Sequence, residues 1–228
     1  GFGFSAQGIK DGLFQVFLFF YFSQVLGLDA ALTGTATIIA LAFDAISDPL
    51  VGIISDKWES KKWGRRHPFM FASAIPMGLF MWLLFMPPEG MGQVGLFWWM
   101  TVFTILVRLS LTLFQVPGMS LGAELSTDYE ERTSITSYRI MFGSFMAMVT
   151  IVIGFLFFFV PTETVERGLF NLEAYPKFAL FCGVLITISI LISSWGTKDR
   201  IPYLPQVSEE QDRLTFFELM RLGIQTFK

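Results

Sequence analysis

Charged residues, cysteine and histidine are scarce in this sequence of 228 residues. Charged residues make up 15% of it, whereas an ordinary soluble domain has about 25%. The single cysteine excludes a disulfide framework and a cysteine-based metal site. A net charge of −3 and an isoelectric point near 5.2 exclude the basic surface of a nucleic-acid binder. The sequence also lacks a glycine-rich phosphate loop, zinc-ligand spacing and a nucleophile elbow, so we expect neither an enzyme nor a cofactor.

Long apolar runs dominate what remains. Hydrophobic residues are 53% of the sequence, 27 residues are phenylalanine, and the mean hydropathy is +0.58. A soluble domain of this length could not bury so many large apolar side chains, so we expect the excess to face lipid. A membrane-crossing helix needs about 20 largely apolar residues. Six runs fit and predict an all-α membrane protein, a six-helix bundle: Gly8–Leu28 (span 1), Thr33–Ser55 (span 2), Phe69–Met86 (span 3), Val94–Leu121 (span 4), Ile140–Val160 (span 5) and Phe178–Trp195 (span 6).

Lysine and arginine are distributed unevenly between the loops. Five lie between spans 2 and 3 and five follow span 6, whereas the loops after spans 1 and 3 have none. The positive-inside rule therefore predicts both chain ends in the cytoplasm. We expect a multi-pass protein of the cell membrane, a bacterial inner membrane. Residues 1–196 would form the bundle and residues 197–228 a cytoplasmic linker. Apolar residues at helical spacing from Leu214 to Phe227 make part of that linker either an amphipathic helix on the membrane or a plain helical connection.

Two aspartates inside span 2 are the strongest functional signal. Asp44 and Asp48 are one helical turn apart and face the same way. An aspartate at the centre of a spanning helix costs roughly 2.5–3.5 kcal/mol, and two of them repel each other. A proton, a bound cation or a basic partner must neutralise them. With the hydroxyl of Ser47 and a carbonyl freed by Pro49, these oxygen ligands suit a hard monovalent cation or a proton. The alternative is an ion pair that holds helices together.

Polar residues on span 4 form a matching stripe. Thr104, Arg108 and Thr112 recur every four residues, and Gln115 follows. Such a stripe on a spanning helix faces a water-filled cavity or partner helices. Arg108 is a second intramembrane charge that can pair with an aspartate of span 2 or with Asp11.

The candidate substrate-binding residues lie on three spans. Asp11 and Gln15 are one turn apart near the start of span 1, and Arg139 begins span 5. Together with Arg108 and Gln115 they form the predicted substrate site. Asp11 is alternatively half of a charged pair with Lys10 at the interface. Arg139 either reaches the interface or binds an anionic or hydroxylated substrate from the cytoplasmic side.

Charged loops after spans 2 and 4 complete the list of candidates. The first loop is basic and the second acidic, so we expect ion pairs between them that open and close; a plain topology signal is the alternative. Glycine in these loops permits a turn or a close approach of helices. The predicted gating residues are Gly52, Asp56, Gly64, Arg65, Arg66, Glu124 and Arg132.

These motifs together resemble a known family. Gly-x-x-x-Asp-Lys at residues 52–57 and Gly-Arg-Arg at residues 64–66 are similar to the signature between spans 2 and 3 of the major facilitator superfamily. The Asp44–Pro49 run, Phe-Gln-Val-Pro at residues 114–117 and the acidic run at residues 123–132 leading to Arg139 resemble the glycoside–pentoside–hexuronide:cation symporters of the melibiose permease type. The resemblance covers essentially the whole chain.

The resemblance implies a secondary active transporter. A cation, Na⁺ or H⁺, would drive symport of a sugar or glycoside-like solute by alternating access. The family has twelve helices, so this chain would be the amino-terminal half, with membrane lipid around it and a second six-helix half or a pairing chain as partner. The coupling ion would bind Asp44, Asp48 and Thr112, with Ser47 where the family often has asparagine.

The resemblance does not imply a single class of substrate. The sugar-binding aspartate of span 1 in melibiose permease matches Gly8, with Asp11 one turn away, and that of span 4 matches Gln115; neither match favours a galactoside. The basic residue of span 5 matches Arg139. Animal lysophospholipid transporters share the fold and a similar Phe-Gln-Val-Pro run, so a lysolipid or other amphiphile is the alternative cargo. A membrane receptor or assembly subunit that transports nothing is the alternative class.

Overall fold

The computed structural model describes residues 2–58, 63–64, 66–124, 128–162 and 165–198. All the regular secondary structure in these ranges is helical, and the ranges contain no strand. The predicted linker helix after residue 198 and the side chains of Arg65 and Glu124 lie outside what is described. The long helices are α1 (Phe4–Leu13, continued by π-helical turns Phe14–Leu18 and Tyr21–Val25), α2 (Ala30–Lys57), α3 (His67–Leu84), α4 (Gln93–Glu124), α5 (Tyr129–Ile153, continued by the π-helical turn Gly154–Phe158) and α6 (Ala174–Gly196).

The helix lengths confirm an all-α, multi-pass membrane protein. Within the described ranges, α2 to α6 are each long and apolar enough to cross a membrane by length and composition. The first segment follows an unbroken helical path from residue 4 to residue 25, about 33 Å at 1.5 Å per residue. The length of this path is similar to the hydrocarbon thickness of a bilayer, about 30 Å.

The largest difference from the predicted boundaries is at α5, which begins at Tyr129 and not at Ile140. Asp128 caps this helix, because its carboxylate accepts hydrogen bonds from the backbone N–H groups of Glu130 (2.7 Å) and Glu131 (3.3 Å). The negative charges of the two glutamates interact favourably with the positive end of the helix dipole. The prediction used the apolar run alone and therefore did not include these polar first turns. Arg139, predicted at the start of span 5, therefore lies well inside the helix α5.

Small residues bring two pairs of helices close together. A methyl group added to Gly8 of α1 would lie 2.0 Å from the carbonyl oxygen of Gly143 on α5, and Gly12 is similarly close to Ala147. On the other pair, a methyl on Gly78 of α3 would lie 2.6 Å from the carbonyl oxygen of Gly183 on α6. Close backbone contact through small residues is the usual way in which membrane helices associate.

Contacts between helix ends show that the helices alternate in direction. At one end, the Tyr21 hydroxyl donates to the carbonyl of Phe85 (3.2 Å), and the Tyr175 ring lies 4.4 Å from that of Tyr21. At the other end, His67 at the start of α3 lies 3.1 Å from the Thr197 hydroxyl just after α6. The loops after spans 2 and 6, both rich in lysine and arginine, thus begin at the same end of the bundle.

Candidate functional site

Helix α2 packs against α4, and its acidic residues meet the polar stripe of that helix. Arg108 pairs with Asp44: both its Nη2 and its Nε contact Oδ2 of the carboxylate, the Nε at 2.6 Å. One turn further along, the Thr112 hydroxyl donates to Oδ1 of Asp48 at 2.8 Å. Because both helices place residues i and i+4 on one face, the two contacts repeat along the interface. The residues of the predicted cation site and of the span 4 stripe therefore lie together.

The remaining oxygens of this site differ in their surroundings. Oδ1 of Asp44 is buried and has no hydrogen-bond partner among the described residues, whereas Asp48 is exposed. The buried Ser47 hydroxyl donates to the backbone carbonyl of Asp44 at 3.5 Å, so it serves its own helix. Carboxylate and hydroxyl oxygens are ligands for a hard cation. The described residues contain no group of three or more His, Cys, Asp or Glu side chains that could hold a metal ion.

The structure decides between the two predicted partners of Arg108, Asp44 and Asp11. Arg108 pairs with Asp44, while Asp11 forms its own ion pair with Lys10, whose Nζ lies 2.5 Å from Oδ1 of Asp11. Lys10 is buried, with 7% of its surface exposed, and its ammonium lies 5.3 Å from the ring centre of Phe14. The charged pair on α1 is thus present, and its lysine is buried within the bundle.

A narrow crevice between α1 and α4 brings two glutamines together. Gln7 and Gln115 both line it, together with Phe4, Leu111 and Phe114. Oε1 of Gln7 is buried without a hydrogen-bond partner among the described residues. Sequence reasoning missed Gln7, although it precedes Asp11 and Gln15 at four-residue intervals and so extends their stripe on α1. Gln15 itself is exposed.

Arg139 lies between three helices. Its guanidinium carbon is 3.8 Å from the ring centre of Phe4 on α1, and its Nη1 is 3.2 Å from where a methyl on Gly122 of α4 would be. Its Nη2 is buried without a hydrogen-bond partner in the described part of the chain. A guanidinium held in this way by an aromatic face is oriented by packing. Arg139 thus lies against α1 and α4, next to the helices that hold Gln7 and Gln115.

Gly8, the position matched to a sugar-binding aspartate, has no room for a side chain. Its α-carbon faces the carbonyl of Gly143, so the matched position lies at a helix crossing. Asp11 is the acidic residue next to this position, almost one turn further along α1. About a third of its side chain is exposed.

The structure describes five of the seven predicted gating residues in full. Nη2 of Arg66 lies 3.3 Å from Oδ1 of Asp56, joining the end of α2 to the start of α3. Gly64 has a φ of +66°, a left-handed conformation that favours glycine in the turn between them. A methyl on Gly52 would make an ordinary contact of 3.6 Å with Val116. Arg132 lies in the first turn of α5 and is exposed, and the Arg65 and Glu124 side chains are not described.

A known protein family matches nearly the whole chain. The family model described as "MFS/sugar transport protein" matches residues 1–224. An uncharacterized symporter of Synechocystis is 34% identical over 161 residues, 67% of this chain and 29% of that protein. The isoprimeverose transporter of Lactiplantibacillus pentosus is 28% identical over 201 residues, 86% of this chain and 40% of that protein. Sodium-dependent lysophosphatidylcholine symporter 1-A of Danio rerio is 32% identical over 135 residues, 57% of this chain and 25% of that protein. The chain spans less than half the length of these relatives.

Proposed function

Because the chain belongs to the MFS/sugar transport protein family, we propose that it forms the cation-binding part of a symporter that moves a sugar or glycoside-like solute by alternating access. The family and the relatives are transporters and not enzymes, and the resemblance to the glycoside–pentoside–hexuronide symporters is confirmed. The proposal concerns the coupling ion, the cargo and the residues that hold them.

The contact between α2 and α4 carries the proposal. Asp44 and Asp48 are acids within a spanning helix, and each meets a polar residue of α4. A monovalent cation, Na⁺ or H⁺, that binds there would reduce the repulsion between the two carboxylates. Each unit charge that moves inward through 100 mV releases about 2.3 kcal/mol. This energy supports about 50-fold accumulation of cargo, since 1.4 kcal/mol is a factor of ten.

The cargo would bind beside α1, α4 and α5. Gln7, Gln115 and Arg139 supply hydrogen-bond donors and acceptors, and Oε1 of Gln7 and Nη2 of Arg139 are buried without partners among the described residues. Asp11 adds a carboxylate. A solute with several hydroxyl groups can satisfy such atoms, and leaving them unpaired is costly. A sugar or glycoside fits this requirement, as the isoprimeverose transporter among the relatives suggests.

A lysolipid is the second candidate cargo. Relatives at 32% identity are named sodium-dependent lysophosphatidylcholine symporters. Phe4 and Phe114 line the same crevice as the glutamines. They would be the apolar neighbours of an acyl chain if the crevice, which has no room for one in this structure, widened during transport. The cationic Arg139 would then face the phosphate.

The orientation follows from the arginine-rich end of the bundle. We place the end that holds Asp56, Arg66 and Thr197 in the cytoplasm, because the loops there are rich in lysine and arginine. Both ends of this chain, and residues 199–228, would then lie on the cytoplasmic side of a bacterial inner membrane. A second six-helix half, or a pairing chain, would close the cargo site from the opposite side.

Uptake by the complete gene product in liposomes tests the proposal. We expect an imposed Na⁺ or pH gradient to drive accumulation of a labelled glycoside, and Asp48→Asn to abolish the gradient dependence. Glu173→Gln, in an exposed pair with Lys177, is the matched control and should leave it intact. Competition by glycosides against lysophosphatidylcholine separates the two cargoes. Binding of the solute without movement into the vesicle would instead indicate a receptor.

A further inference from the structure

We infer that a groove between α3 and α6 binds one phospholipid with an anionic headgroup, whose acyl chain lies in the groove and whose phosphate lies at Lys198. This site goes beyond the proposed function, because it is separate from the contact between α2 and α4 and from the crevice that holds Gln7 and Gln115.

The groove lies on the outer side of the bundle and has a volume of about 250 Å³. Both helices are long and apolar enough to cross a membrane, so the groove opens towards acyl chains and not towards water. Empty space along an apolar wall loses dispersion contacts, and a chain that fills it restores them. The walls are large apolar side chains: Ile75, Leu79 and Trp82 of α3 and Leu180, Val184 and Ile188 of α6.

The floor of the groove is the crossing of α3 and α6. Gly78 and Gly183 bring the two backbones together there, since a methyl on Gly78 would lie 2.6 Å from the carbonyl oxygen of Gly183. The hydroxyl of Thr187 is within hydrogen-bond distance of the carbonyl oxygens of Ala74 (3.0 Å) and Gly183 (2.9 Å), so its proton is used within the bundle. Such a floor fits a hydrocarbon chain.

Aromatic residues connect the groove to a positive charge. Phe71 precedes Ile75 by four residues and shares its face of α3, and the ring centre of Phe71 lies 5.4 Å from that of Trp63. The ammonium of Lys198 lies 4.8 Å from the centre of the Trp63 ring. In the part of the chain that the structure describes, no carboxylate forms an ion pair with Lys198. An aromatic face therefore positions this charge, and an anion can approach it.

The distance between the charge and the groove suits one leaflet of a bilayer. Lys198 follows Ile188 by ten residues, which is about 15 Å at the helical rise of 1.5 Å per residue. Half of the hydrocarbon thickness of a bilayer is also about 15 Å. Trp63 and Trp195 are exposed at the same end, as is typical of the level of the headgroups. A lipid with its phosphate at Lys198 can thus place the end of its chain in the groove.

Charge favours a lipid over a second copy of this chain as the occupant. The loops at this end are rich in lysine and arginine, and a two-fold symmetric pair within one membrane would bring two such ends together. Like charges at that distance repel. An anionic phosphate is attracted instead, with an affinity about fivefold higher for each basic residue close to it.

The headgroup is tested by lipid binding to the complete gene product in detergent. Dioleoylphosphatidylglycerol or dioleoylphosphatidylcholine is titrated in, and bound lipids are counted by native mass spectrometry. We expect the first phosphatidylglycerol to bind about fivefold more tightly than the first phosphatidylcholine. Lys198→Gln should remove this preference and Lys198→Arg should keep it. Lys177→Gln, in an exposed pair with Glu173 at the other end of α6, is the matched control and should also keep it.

The groove is tested by filling it. Val184→Phe extends a wall residue of α6 into the groove, and we expect both lipids to bind about tenfold more weakly, the effect of excluding about two methylene groups from an apolar contact. Leu79→Phe fills the groove from α3 and decides the question if Val184→Phe does not fold. Val102→Phe, at an exposed position of α4, is the control and should bind both lipids as the natural protein does.

Three results would overturn the inference. Equal binding of the two lipids by the natural protein, or an undiminished preference in Lys198→Gln, would show that no phosphate lies at Lys198. Lipid binding by Val184→Phe and Leu79→Phe at the level of Val102→Phe would show that the chain lies elsewhere. A natural protein of twice the expected mass that Val184→Phe converts to single copies would show that the groove holds a second copy. None of these measurements depends on uptake, so they leave the symport proposal to its own test.

Discussion

The hydroxyl of Thr112 donates a hydrogen bond of 2.8 Å to Oδ1 of Asp48, one turn along α4 from the ion pair of Arg108 with Asp44. The two contacts give the aspartates of α2 different partners, one charged and one neutral. The neutral contact leaves the hydroxyl oxygen near the carboxylate that needs a cation.

Thr112→Val should therefore weaken a Na⁺ site. Valine keeps the shape of threonine but removes the hydroxyl, whose oxygen is a ligand of the kind that a hard cation binds. We expect the Na⁺ concentration for half-maximal uptake to rise about tenfold or more, measured in liposomes under a Na⁺ gradient. A proton attaches to the carboxylate without further ligands, so H⁺-driven uptake should not weaken.

The control for this variant lies on the same helix. Ser110 is buried and donates to the carbonyl of Leu106 on its own helix at 2.8 Å. Ser110→Ala removes a hydroxyl two residues away without touching α2, and its Na⁺ dependence should equal that of the natural protein. Equal effects of the two variants would indicate a general loss of helix packing and contradict the role of Thr112.

Gly8→Ala should destabilise the bundle. The added methyl would lie 2.0 Å from the carbonyl oxygen of Gly143, which is backbone and cannot rotate away, so α1 and α5 must move apart. Overpacking of this kind costs about 1–3 kcal/mol. Thermal unfolding in detergent, followed by circular dichroism, measures the loss.

Gly34→Ala is the matched control for the packing prediction. Nothing lies within 4 Å of a methyl at Gly34 on α2 among the described residues, and alanine favours a helix by about 1 kcal/mol over glycine. We therefore expect an unchanged or slightly higher unfolding temperature for Gly34→Ala. A Gly8→Ala protein as stable as the Gly34→Ala protein would show that the α1–α5 crossing is looser than described.

The helices, and the helix faces on which the candidate cation-site residues lie, were predictable because their signals are local. Apolar runs gave six spans, and the four-residue spacing of Asp44 with Asp48, and of Arg108 with Thr112, placed each pair on one face of its helix. Which carboxylate meets the arginine depends on the rotation and register of α2 against α4, and no spacing within one helix determines that. Gln7 was missed for a related reason, since its role depends on the crevice shared with Gln115.

The loop between α2 and α3 gives a third prediction. Asp56 pairs with Arg66 at 3.3 Å, and about half of the Asp56 side chain is exposed, so the pair contributes about 0–1 kcal/mol to stability. Asp56→Asn should leave the unfolding temperature nearly unchanged. If this contact closes one conformation of the transport cycle, a bias of about 1 kcal/mol would change the initial uptake rate about fivefold. Equal initial uptake rates in Asp56→Asn and the natural protein would show that this ion pair is not part of the gate.

Arg139→Lys tests the cargo site. Lysine keeps the positive charge but loses the planar guanidinium that lies 3.8 Å from the ring centre of Phe4, and it loses the buried Nη2 donor. We expect the KM for a labelled glycoside to rise about tenfold, the loss of roughly 1.4 kcal/mol, while the number of charges moved per solute stays the same. Gln7→Leu removes the unpartnered oxygen of the adjoining crevice and should raise the KM in the same direction. Arg167→Lys, in an exposed loop between α5 and α6, is the control and should leave the KM unchanged. An unchanged KM in both Arg139→Lys and Gln7→Leu would show that the cargo binds elsewhere in the transporter.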